Sequence, residues 1–278
     1  MRKLMRITGI TTLLMLSSLT QGQQPPQGTI YFLNVPETIR KSGVVNEQKI
    51  QDSGRSRIFW HYRNGTGKTQ QFTLQVSEKT VGLRMGQGVS FSPPTAGTQA
   101  MMRFLQSSPR SEAYLKTSVS VPKGYTVSGV AEGHWKTGAI IKASLGKGAP
   151  VPGIEKIVSP YLFVDNCVTL TSNQAAHLKV GQNKPGHIPG NYGSTVRVSV
   201  QSKLPKRIKI RVAFSPRGGP LNLVYIYNGK IACSPRIAAK KEHTLFHAWV
   251  DPGQKISLDI YPLGGFNYPA EIRFTPER

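Results

Sequence analysis

Acidic side chains, cysteine and long apolar runs are what this chain has least of. Against 36 Lys and Arg stand only 13 Asp and Glu in 278 residues, a formal charge of +23. Such an excess attracts polyanions: nucleic acid, anionic lipid, or acidic wall and capsule polymers. Only two cysteines are present, Cys167 and Cys233, and neither sits in a recognisable catalytic signature. No Gly-x-Ser-x-Gly elbow occurs, so the sequence names no serine nucleophile. Charged residues make up 18% of the chain, and with 28 Gly and 20 Pro this composition matches many short strands joined by turns.

The one long apolar run is at the start, where Arg2, Lys3 and Arg6 precede Ile7 to Leu19 and Thr20-Gln21-Gly22 follows. This reads as a secretory signal peptide, too short for a membrane span. A membrane anchor is the alternative, weakened by the Thr and Ser that interrupt the run. The protein expected after cleavage is secreted, periplasmic or held in the cell envelope, with no membrane span, and export makes nucleic acid the least natural polyanion.

What is present is alternation. In Ser56 to Val76 one strand places Ile58, Trp60 and Tyr62 on a single face, and a second does the same with Phe72, Leu74 and Val76. Between them Asn64-Gly65-Thr66-Gly67-Lys68 reads as a hairpin turn. A plainer copy pairs Val196, Val198 and Val200 with Ile208, Ile210 and Val212. Each is followed by a strand ending at a Pro/Gly turn, Val121-Pro122-Lys123-Gly124 and Val250-Asp251-Pro252-Gly253. The expectation is an all-β protein of two tandem immunoglobulin-like β-sandwich domains. The leader would occupy residues 1–22, the first domain 23–150 and the second 151–278, with the boundary in the Gly/Pro-rich stretch Gly146 to Gly153. One short helix is expected in the first domain, Ala96 to Gln106, with Ala100, Met101, Phe104 and Leu105 on one side. The polar stretch from Thr171 to Gly193 shows no strand pattern and is expected to be a long loop.

Phe59 to Val76, Ala96-Gly97 before the helix, and Val121-Pro122-Lys123-Gly124 resemble exported β-rich proteins found in cyanobacteria and other environmental bacteria. Asn191-Tyr192-Gly193, Ser215 to Gly219 and Asn267-Tyr268-Pro269 are similar in kind. The resemblance implies a secreted sandwich without an assigned activity, and it transfers no catalytic residue.

Gly65-Thr66-Gly67-Lys68-Thr69 lacks the earlier glycine of a phosphate-binding loop and lies between strands, so it is a turn. Among the six histidines, His243 and His247 stand four apart. On a strand that spacing is about 13 Å, too far to share one ion. No catalytic residue, cofactor or metal ligand is therefore assigned. Cys167 and Cys233 are expected to form a disulfide worth roughly 4 kcal/mol; two buried core thiols are the alternative.

If Ser202 to Lys206 turn the second hairpin, Arg197 faces Arg211 and Gln201 faces Arg207, with Lys209 between and Lys203 and Lys206 in the turn. Opposed like charges weaken strand pairing. Such a face is either the solvated side of a basic protein or an anion-binding surface. The reading adopted is a non-catalytic envelope or extracellular binding module that engages an acidic wall, capsule or envelope polymer through these six side chains. A polysaccharide-acting enzyme would need two facing carboxylates. An adhesin or assembly subunit would bind a protein partner through an exposed sheet edge.

Overall fold

The computed structural model describes residues 28–181, 192–263 and 268–277. The expected leader, the Gln/Pro stretch after it, and residues 182–191 of the polar loop lie outside the described residues. Within them the protein is all-β with a single helix, arranged as two β-sandwiches.

The first sandwich is one nine-stranded sheet folded on itself. Its strands are β1 (Thr29–Leu33), β2 (Thr38–Ile39), β3 (Gly43–Lys49), β4 (Gly54–Asn64) and β5 (Gln70–Ser90). After helix α1 (Pro93–Gln106) come β6 (Arg110–Val121), β7 (Thr126–Trp135), β8 (Ile140–Leu145) and β9 (Ile157–Ser159). The main order is β3-β8-β5-β7-β4-β1-β9, with β6 along β5 and β2 beside β4. β5 is the spine: Phe72 to Val76 pairs with β8, and Val81 to Ser90 pairs with β7. Register shifts between these halves and a left-handed Gly82 (φ 70°) bend it, so its two wings close over a shared core.

The expected hairpin of β4 and β5 is not one. β4 pairs with β1, β2 and β7, and the start of β5 pairs with β6 and β8. Ile58, Trp60 and Tyr62 do share a buried core with Phe72, Leu74 and Val76, but they meet across it, with the Trp60 and Phe72 ring centroids 6.4 Å apart. The connection is an arch from layer to layer. Asn64 anchors it: buried, its amide donates to the carbonyls of Lys68 and Val121 (both 2.8 Å), and its Oδ1 accepts from the Thr66 N–H at 3.0 Å.

Helix α1 begins at Pro93-Pro94, where prolines cost no hydrogen bond. Ala96, Gly97, Ala100, Met101, Phe104 and Leu105 are its buried side, as the periodicity implies. It lies directly on β5, because Gly86 and Gly88 leave room for its backbone. A Cβ at Gly86 would stand 2.1 Å from the Ala100 carbonyl oxygen.

The second sandwich holds β10 (Phe163–Leu170), β11 (Ala176–Val180), β12 (Thr195–Ser202), β13 (Ile208–Pro216), β14 (Val224–Tyr227), β15 (Lys230–Cys233), β16 (His243–Val250), β17 (Lys255–Tyr261) and β18 (Ala270–Glu277). One sheet runs β10-β12-β17-β14-β15 and the other β11-β18-β13-β16. Setting β10 aside, this alternation of early and late strands is the connectivity of a jelly roll, which refines the immunoglobulin-like expectation. β11 lies inside the stretch expected to be a loop. The second expected hairpin is also an arch, because β12 and β13 belong to different sheets.

That arrangement overturns the disulfide. Cys167 on β10 and Cys233 on β15 occupy opposite edge strands of the five-stranded sheet. Four strand spacings separate them by about 19 Å, against the roughly 4–7 Å between Cα atoms that a bridge requires. Both cysteines are free and exposed. Thiol titration of native protein purified without reductant is expected to return two groups per chain. Cys233 should react more slowly, because burial pushes its thiol up in pKa, with the Asn222 amide at 3.0 Å opposing. No free thiol under denaturing, non-reducing conditions would overturn this.

The boundary expected at 150 falls inside hydrogen-bonded structure. Val44 donates to Ala149 O (3.3 Å), Val151 donates to Val44 O (2.8 Å), and β9, further on, still pairs with β1. The change of sandwich comes between β9 and β10. The two sandwiches also share a core: Ile30, Phe32, Phe59, Val130, Met101 and Phe104 from the first pack in one cluster with Leu162, Val224 and Tyr261 from the second. At its polar edge Arg57, 2% exposed, donates to Glu132 Oε2 (2.6 and 3.0 Å), to the Gly193 carbonyl (2.6 Å) and to Thr195 Oγ1 (3.1 Å). Arg55 reaches the other oxygen of Glu132 at 2.7 Å.

Candidate functional site

In the four-stranded sheet the alternation buries Ile210, Val212, Val250, Ile272 and Phe274, so the residues between them face outward. Register then composes that outer face. Lys209 lies between Trp249 and Glu277, Arg211 between His247 and Thr275, and Lys179 opposite Glu271. Three glutamates each sit between two basic side chains. Glu277 is held by His247 (2.9 Å) and Lys209 (3.4 Å), and Glu242 by Arg211 (2.7 Å) and Arg273 (3.5 Å). Glu271 is held by His177 and Arg217. Hydrogen bonds from His177 and His247 keep Glu271 and Glu277 below the usual carboxylate range. Burial would raise Glu242, but Arg211 and Arg273 hold it down. The carboxylates are thus occupied, and the cations outnumber them.

The opposed basic residues expected of a β12–β13 hairpin are not opposed. Arg197 is on the outer face of the five-stranded sheet, in register with Asp165 on one side and Asp259 on the other. Its guanidinium is 4.0 Å from Asp165 and its Cζ 3.6 Å from the Phe163 ring centroid. Burial pushes the Asp259 carboxyl up, with Arg197 opposing and Asp165 adding. These two aspartates flank Arg197 on the same outer face, on the two neighbouring strands. The arginine between them pairs with Asp165 and opposes the rise of the Asp259 carboxyl.

The other five expected residues do gather. Lys203, Lys206 and Arg207 lie on the arch between β12 and β13, and Lys209 and Arg211 follow on β13. The turn after β16 lies alongside, since Gly253 donates to Ser202 O at 3.2 Å and Arg207 pairs with Asp251 at 3.4 Å. Trp249 stands at this corner, 53% exposed, with the Arg207 guanidinium 5.0 Å from its ring. Lys255, where β17 begins, is exposed and in register with Gln201 at the end of β12. Among the described residues, Lys203, Lys206 and Lys255 have no carboxylate within 4.0 Å. Sequence reasoning missed Trp249 and Lys255 as members of this corner. Trp249 shares the outward phase of His247, and that alternation was the available signal.

No family model and no curated protein matches the chain. Among solved structures it is similar to the CUB1-EGF-CUB2 domains of rat MASP-1, at 8% identity and a TM-score of 0.23, over 88% of this chain and 99% of that one. The same domains of human MASP-1/3 give 6% identity and 0.25, over 84% and 99%. A multicopper oxidase from Campylobacter jejuni gives 11% and 0.16, over 74% and 47%.

Proposed function

We propose that the protein is an exported, non-catalytic binding module that holds an acidic envelope or extracellular polysaccharide at the corner built by Arg207, Lys209 and Trp249. The observation that carries this is an exposed indole packed beside a guanidinium, at a corner where Lys203, Lys206 and Lys255 have no carboxylate within 4.0 Å among the described residues. An aromatic face suits the apolar side of a sugar ring. The surrounding cations pair with carboxylate or sulfate groups along the polymer. Arg211 extends the track onto the sheet, whereas Arg197, on the other sheet, falls outside the site. The secretory leader expected at residues 1–22 would deliver the protein to such a polymer.

The test is equilibrium binding of the purified protein to polygalacturonate and to a neutral glucan. Polygalacturonate is expected to bind, and to weaken steeply as salt rises, because exposed charges are screened within about 8 Å at physiological ionic strength. Lys203→Gln/Lys206→Gln/Arg207→Gln should weaken it at least tenfold and flatten the salt dependence. Trp249→Ala should weaken it severalfold with salt dependence kept. Both variants should melt within a degree or two of wild type, since these side chains are exposed. Equal affinity for the two polymers, or a triple variant that binds like wild type, would overturn the reading.

A further inference from the structure

The first sandwich is closed along β5 and open on the opposite side, where the two end strands of its sheet, β3 and β9, face each other. A cleft of about 560 Å³ lies there, lined by Glu47, Gln48 and Lys49 of β3, Ile140, and Lys156 and Val158 at β9. In an antiparallel pair, alternate residues turn their N–H and C=O toward the neighbouring strand. Just past β3, Ile50 exchanges bonds with the β8 side, donating to Ala139 O (2.8 Å) and accepting from Gly138 N–H (2.9 Å). Gln48 is therefore in the same phase, and Glu47, Lys49 and Gln51 turn their backbone groups into the cleft. The Gln51 N–H confirms the phase, since it donates across the opening to Tyr31 Oη at 2.7 Å. β3 ends the sheet and pairs with β8 alone, so the backbone N–H and C=O groups that Glu47 and Lys49 turn the other way have no strand beside them among the described residues. Gln48, only 5% exposed, also leaves its Nε2 without an acceptor.

We infer that this cleft is a strand acceptor, which takes an extended acidic segment of a partner protein as a tenth strand beside β3. Only another backbone offers donors and acceptors at the strand spacing that Glu47 and Lys49 present. The charge selects the segment. Glu47 is neutralised by Lys142 at 2.9 Å, whereas Lys49 and Lys156 face no carboxylate within 4.0 Å among the described residues. The partly exposed Ile140 and Val158 provide apolar contact for alternate side chains. This site is in the other sandwich from the basic corner and stands or falls independently of it.

The test uses the purified protein and a fluorescein-labelled decapeptide alternating Val with Glu, read by anisotropy. Controls are the same peptide N-methylated at alternate residues and a version with Lys in place of Glu. The Glu peptide is expected to bind, and the N-methylated and Lys peptides to bind at least tenfold more weakly. Lys49→Glu/Lys156→Glu should invert the preference between Glu and Lys peptides. Lys49→Pro removes an N–H that β8 does not use, and should abolish binding of both. Equal binding of the N-methylated peptide would overturn the inference, as would no binding of the Glu peptide. A concentration-dependent dimer by light scattering that Lys49→Pro dissolves would also overturn it, because the occupant would then be a second copy of this chain.

Discussion

Glu132→Ala is expected to destabilise the protein by about 3–5 kcal/mol, the cost of leaving a buried partner charge uncompensated. Arg57 is 2% exposed, and among the described residues Glu132 is the one carboxylate bonded to it. Burial alone would raise the Glu132 carboxyl, but Arg57 and Arg55 together hold it below the usual carboxylate range. Removing the carboxylate leaves Arg57, among the described residues, with the Gly193 carbonyl and Thr195 Oγ1 as acceptors. Replacing both partners with apolar groups, Arg57→Met/Glu132→Leu, should recover most of the loss. Urea unfolding followed by tryptophan fluorescence measures both. A Glu132→Ala variant within 1 kcal/mol of wild type would mean that water, not Glu132, solvates the arginine.

The second large effect is a loss of stability in mild acid. His61, on β4 opposite Ser128, is 1% exposed, and neither ring nitrogen has a hydrogen-bond partner among the described residues. Glu37 is 3.8 Å away and mostly exposed. Burial lowers the imidazole pKa to about 4, against about 6.5 in the unfolded chain. Between those values the unfolded state binds more protons, so stability is full above pH 6.5 and falls as pH falls. The loss should reach about 2 kcal/mol by pH 5 and about 3 kcal/mol by pH 4. Carboxylates held low, such as Glu132 and Glu242, lose their charge only below the usual carboxylate range, and the share of the slope that His61 carries is the share that removing it takes away. His61→Leu should flatten the profile from pH 7 to 5. A variant whose melting temperature tracks wild type across that range would refute the assignment.

Alternation reports which way a side chain points and is silent about which strand lies beside it, and the errors follow from that. Ile58, Trp60 and Tyr62 were legible as a core face, and they are. Their neighbours were not, because any strand backbone can supply the ladder. The sequence does carry one tight hairpin, at Asn228-Gly229, whose positive φ values (49° and 70°) join β14 to β15. Nothing in the sequence marks Arg57 and His61 as buried, because polar residues alternate there with apolar ones. Phe59 between them was the available hint that this face too is covered. The helix was legible from its periodicity and its prolines. The basic corner was half legible: charge density marks Lys203 to Arg211, but the turn at Asp251 and the exposed Trp249 join it only through topology.

The two arches also determine how the chain must assemble. β4 waits for β7, with Ile58 opposite Ala131, and β12 waits for β17, with Val198 opposite Leu258. Each pairing closes a loop of dozens of residues before any ladder bond rewards it. Such a topology belongs with proteins that fold in milliseconds to seconds, well behind hairpin-built or helical ones. The Asn228-Gly229 turn is where pairing can start without a long search. Until the distant partners arrive, most of the other strands wait with both edges open.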